Sequence, residues 1–165
     1  MIEAKLRKRK DILISSGKAV ILFGIWSIVR IILAELFDPE ELKELIGNVS
    51  GTPDEVYLVL SFVMIIALMS IDLLIRYYVG KSAISEGNGQ KRNVAYIILA
   101  GIYVAVTIAF DCYGITALKD GVTIMVISTF LIDISSSFAF AEIMFSALMV
   151  RYYEKRLTEK ETHAA

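Results

Sequence analysis

From Val122 to Val150 the chain reads VTIMVISTFLIDISSSFAFAEIMFSALMV, apolar nearly throughout yet carrying Asp133, the run Ser135-Ser136-Ser137 and Glu142. About 20 predominantly apolar residues cross the hydrocarbon of a bilayer, so this stretch is long enough to span one. Carboxylates inside such a span need partners, and other helices must supply them. Three further apolar blocks, at about 12–37, 56–78 and 94–113, are of similar kind. Apolar residues make up 56% of the chain, against about 45–50% in an ordinary soluble domain. The expected fold is therefore all-α: one polytopic membrane domain over residues 1–165, built as a four-transmembrane-helix bundle.

The polar connectors are informative in their charge. DPEELKELIG at 38–47 has a capping aspartate, a proline suited to the first helical turn, and acids near the positive helix end. Its leucines and isoleucine share one face, so a short surface helix is expected there. The 79–93 segment, VGKSAISEGNGQKRN, is polar and glycine-containing and reads as a flexible loop. The 114–121 segment reads as a short connector, and the charged tail after Tyr153 as frayed. Thirteen of the seventeen Lys and Arg fall in the N-terminus, the 76–93 region and the residues from Arg151 onward. By the positive-inside rule both termini are expected in the cytoplasm, with the protein in the plasma membrane. Tyr77-Tyr78 and Tyr152-Tyr153, each following an arginine, suit interfacial anchors on that side, and Trp26 reads as a packing residue inside its span.

Two features suggest an internal duplication. Gly24-Ile25-Trp26 resembles Gly101-Ile102-Tyr103, and MSIDLLIRYY at 69–78 resembles MFSALMVRYY at 144–153, at offsets of 77 and 75 residues. Either two tandem helical hairpins share an origin, or apolar triplets and interfacial Arg-Tyr-Tyr recur by chance.

The intramembrane charges are the candidate site. At about 1.5 Å per residue, Arg30, Asp133 and Asp111 fall roughly 25–27 Å from the cytoplasmic ends. Lys18 and Glu142 fall roughly 11–14 Å in, which pairs the first and fourth helices. Glu142, Asp133, Ser136 and Ser137 are the candidate ion- or substrate-binding residues. Arg30, Asp111, Lys18, Asp72 and Arg76 are candidates for a gate or intramembrane ion pairs, Asp72 and Arg76 as a local i,i+4 pair. Plain structural readings stand beside these: a satisfied outer ion pair at Arg30, a snorkelling Lys18, and small residues that only ease helix packing.

Catalysis is not expected. The only histidine, His163, lies in the polar tail, Cys112 is the single cysteine, and no phosphate-cradling glycine loop is present. No metal, cofactor or nucleic acid is implied. The expected partners are the bilayer and either further copies of the chain, as a homo-oligomer, or a different membrane protein. Transport or ion and proton handling through the intramembrane carboxylates is the leading expectation. An accessory or assembly subunit of a larger membrane complex is the alternative.

Overall fold

The computed structural model describes residues 2–37, 54–90, 93–117 and 124–164, and these are almost entirely helical. The helices are α1 (Ile2–Phe37), α2 (Asp54–Gly87), α3 (Ala95–Ala117) and α4 (Ile124–Ala164). Stretches within three of them, Ile2–Val29, Ala95–Cys112 and Phe130–Lys160, are long and apolar enough to cross a membrane. The chain is thus an all-helical protein of membrane type. The surface helix expected at 38–47 lies outside the described residues.

The helices outrun the apolar blocks. α1 begins ten residues before the apolar run, α4 carries the charged tail as helix to Ala164, and α3 takes in the start of the connector. The largest correction is at 79–93, where the expected loop is helical as far as Gly87. Glycine there serves contact rather than flexibility. A Cβ on Gly80 would stand 2.6 Å from the Gly17 carbonyl oxygen, and one on Gly17 would stand 2.8 Å from that of Gly80. The helix ends at Gly87 and is capped at Gly89, whose φ of 77° is costly for residues bearing a Cβ. There the Gly89 amide donates to the Glu86 carbonyl (2.9 Å) and the Gln90 amide to the Ser85 carbonyl (3.0 Å), the paired bonds of a Schellman cap.

Each helix presents one stripe to the core. Leu13, Gly17, Val20 and Gly24 recur every three or four residues along α1 and are buried. Opposite them lie Val79 and Ala83 of α2, Tyr96, Ile97 and Ala100 of α3, and Phe140, Ile143, Ala147 and Val150 of α4. Trp26 does not join this core. Two positions past Gly24 puts it about 200° round the helix, on the outer surface, where it is 52% exposed. Phe110 and Phe138, each 72% exposed, also face outward, as side chains bathed in lipid rather than water would.

α1 packs extensively against both α2 and α4, so the first and fourth helices are neighbours as expected. α3 leans mainly on α4 and touches α2 only thinly. Lys10 Nζ, 2.8 Å from Glu154 Oε1, ties the start of α1 to the end of α4, so both termini lie at one end of the bundle. The two hairpins are not equivalent in detail: a Cβ on Gly24 would meet Arg76, whereas one on Gly101 would meet Met144 rather than Arg151.

Candidate functional site

Among the described residues, two layers of bonded polar groups cross the bundle, and both are built on α2. The deeper layer surrounds Arg76, which is only 3% exposed. One turn earlier on the same helix, Asp72 accepts the Arg76 Nε–H through Oδ2 at 2.8 Å. This is the expected i,i+4 pair, but it does not end there. Arg76 Nη1 donates to Ser136 Oγ of α4 and Nη2 donates to the Tyr103 hydroxyl of α3. The Tyr103 hydroxyl in turn donates to Asp72 Oδ1 at 2.7 Å. Tyr103 and Phe140 stack with centroids 4.3 Å apart, and the guanidinium lies 5.0 Å and 5.9 Å from the two ring centroids. Every nitrogen of Arg76 therefore has a partner, and aromatic faces cover what remains.

A cavity of about 280 Å³ opens against this layer, lined by Ser27, Ile28, Leu68, Met69, Asp72, Arg76, Tyr103 and Asp133. On α1, α2 and α4 its walls lie beyond the Arg76 level, away from the terminal end; the packed core lies on the other side. Asp133 thus shares a space with Asp72, a meeting that sequence depth did not suggest. Ser136 is fully buried as a partner of Arg76, while Ser137 Oγ is sealed and has no hydrogen-bond partner among the described residues.

Glu142 sits elsewhere. Its cation is Arg9, with Nη1 3.5 Å from Oε1, and not Lys18. Ser146 also donates to Glu142 Oε1 at 3.3 Å, and Arg9 lies over the Phe145 ring at 4.8 Å. Lys18 is exposed and forms no ion pair among the described residues. The reason is register: Lys18 follows the Gly17 contact and is turned away from the α1–α4 seam. Asp111 is half-buried, two helical turns past Tyr103 and outside the cavity lining. The Arg30 side chain lies outside the described residues. No group of three His, Cys, Asp or Glu converges on a metal-sized site among the described residues.

The second layer closes the terminal end. Glu86, 3% exposed, accepts a two-pronged bond from Arg151, Nε to Oε1 and Nη2 to Oε2, each 2.7 Å. Tyr96 donates its hydroxyl to Glu86 Oε2 at 2.9 Å, and Arg151 Nη2 also reaches the Asn93 carbonyl at 2.8 Å. Each layer repeats one scheme: a carboxylate of α2, a tyrosine of α3 and an arginine Nε. The signal available in the sequence was the seven-residue spacing of Tyr96 and Tyr103, which puts both hydroxyls on one face of α3. Reading 79–93 as a loop removed Glu86 from consideration.

Arg151→Leu should leave Glu86 buried with no cation, a change that costs about 3–5 kcal/mol for a buried pair. Lys10→Ala breaks a more exposed pair, worth about 0–1 kcal/mol. Thermal unfolding in detergent checks this ordering: equal losses for the two variants would show that the Glu86 layer is not a structural clasp.

No protein-family model matches the chain, and neither the curated proteins nor the solved structures give a match.

Proposed function

We propose that this protein is a four-span plasma-membrane transporter that moves protons or a small cation through the cavity bounded by Asp72, Arg76, Tyr103 and Asp133. The observation that carries the reading is the arginine–carboxylate cluster on the wall of a cavity within an apolar bundle. Ionisable groups at such depth are costly and mark ion or substrate pathways. α2 supplies the fourth crossing in this reading, since it runs the full depth of the bundle beside α1. The distribution of basic residues supports cytoplasmic termini. The closed layer at Glu86 and Arg151 then faces the cytoplasm, and the cavity faces outward.

The cluster offers a coupling step. Asp72 accepts one bond from Arg76 and one from Tyr103. A proton taken up on its carboxylate removes the charge that holds Arg76 Nε and weakens the link from α2 to α3. That helix pair is the most thinly packed around the ring, so occupancy of Asp72 biases the contact with least else to hold it. Ser136 keeps Arg76 tied to α4 throughout.

Proteoliposomes enclosing a pH-reporting dye provide the test, given in turn a membrane potential and outward gradients of sodium, potassium and tetramethylammonium. Asp72→Asn and Asp133→Asn should each lower the flux about 10- to 100-fold, the value of one charged hydrogen bond. Flux lost in Glu142→Gln and kept in Asp72→Asn would move the site to Glu142. Inert liposomes, with a second polypeptide reproducibly co-purifying from the native membrane, would replace transport by the accessory-subunit reading.

A further inference from the structure

A second space also borders Asp72. Between α2 and α3, where the two helices barely touch, lies a groove of about 220 Å³ walled by Leu68, Ile71, Ile75, Leu99, Ile102 and Val106. Asp72 and Tyr103 stand in its lining as they do in that of the deeper cavity. The groove is therefore apolar along its length and polar at one place only. Leu68, Ile71 and Ile102 are 62%, 55% and 56% exposed, so its mouth is on the outer surface that lipid would cover.

What a molecule in the groove would meet is decided by which charge is sealed. The Arg76 side chain is 3% exposed and has a partner at each nitrogen, while the Asp72 side chain remains 34% exposed. The pair is balanced in charge but not in access: the carboxylate is the open half. A carboxylate has about four lone-pair sites, and Arg76 and Tyr103 take one on each oxygen. Room remains for a third partner bearing positive charge. An anion would meet the open carboxylate of Asp72. An uncharged chain would gain only what lipid already provides, since burial in hydrocarbon drives no association between apolar surfaces.

We propose that the substrate class is an amphiphilic organic monocation, its charge held at Asp72 and its apolar body lying in the groove between α2 and α3. This rests on the transport reading above for its physiological meaning, but the binding site stands on the geometry. The groove also gives such a molecule a path from the bilayer to the carboxylate that crosses no polar surface.

The test is calorimetric titration of the full chain in lipid nanodiscs with benzyltriethylammonium. Tetramethylammonium serves as a charge without an apolar body, and an uncharged alkylbenzene of matching size as a body without charge. Benzyltriethylammonium should bind more tightly than either. Asp72→Asn should weaken it about tenfold or more, the loss of one charged contact. Ile102→Trp, at an exposed position that folding tolerates, should weaken it by obstructing the groove. If Asp72→Asn fails to fold, Ile102→Trp decides alone. Unchanged binding in either folded variant, equal binding of the alkylbenzene, or no binding of benzyltriethylammonium to the wild type each overturns the proposal. Binding without flux in proteoliposomes would sink transport and keep the site. Flux without binding would sink the substrate class and keep transport.

Discussion

Asp72→Leu is expected to unfold this protein at a markedly lower temperature than the wild type, by a margin equivalent to about 3–5 kcal/mol. The variant leaves Arg76 charged and almost wholly buried, bonded to hydroxyls but without the carboxylate that accepts its Nε–H. The size of the effect comes from the stranded cation, not from the net value of the pair. Replacing a whole buried cluster with apolar groups of similar shape is close to neutral. The combined variant Asp72→Leu, Arg76→Met, Tyr103→Phe, Ser136→Ala should therefore recover most of the loss. It should also carry no ions, because nothing polar then remains of the Arg76 layer. Heating in detergent followed by size-exclusion chromatography reads the first effect, and proteoliposome flux the second. A single Asp72→Leu variant as stable as wild type would mean that the cluster does not hold Arg76 as drawn. Recovery of stability together with flux would show that the cluster is only structural.

How far the sequence reached depends on which physical signal was strong. Apolar length located the helices, because little else accounts for blocks such as 94–113. It could not place their ends, since charged residues such as Arg9 and Glu154 continue a helix well past the apolar boundary. Depth counting gave the right neighbours, α1 and α4, through the wrong pair: Glu142 meets Arg9, because long side chains reach several ångströms along the helix axis. Asp72 and Arg76 were legible as an i,i+4 pair from spacing alone. Tyr103 was marked only by its seven-residue spacing from Tyr96, which gives a shared face but not what lies opposite it. Glu86 was hidden by composition: glycine, serine and lysine around it resemble a loop until the neighbour that requires glycine is known.

That neighbour makes the second large prediction. α1 and α2 meet along Gly17, Gly80 and Gly87, where backbone lies against backbone. A Cβ on Gly80 would sit 2.6 Å from both the Gly17 carbonyl oxygen and Ile21 Cγ1, and one on Gly87 would sit 2.6 Å from Ile14 Cγ1. A carbonyl oxygen cannot rotate aside as a side-chain tip can, so the two helices must separate. Overpacking of this kind costs about 1–3 kcal/mol for a small group, occasionally more. Gly80→Ala should lower the melting temperature clearly, and Gly80→Leu should abolish the folded state. Gly101 gives the contrast within the same molecule. Its Cβ would meet Met144 Cε at 3.3 Å, the far end of a flexible chain that can yield. Gly101→Ala should be neutral or stabilising, because alanine gains up to about 1 kcal/mol over glycine in a helix interior. The consequence extends beyond stability. A Cβ on Gly24, one step further along the same seam, would lie 3.0 Å from Arg76 Cδ, so parting α1 from α2 also displaces the arginine on which the cavity wall depends. Gly80→Ala should therefore impair flux even at temperatures where it remains folded, while Gly101→Ala should not. Equal melting temperatures for the two alanine variants would refute the close α1–α2 approach and, with it, the placement of Arg76.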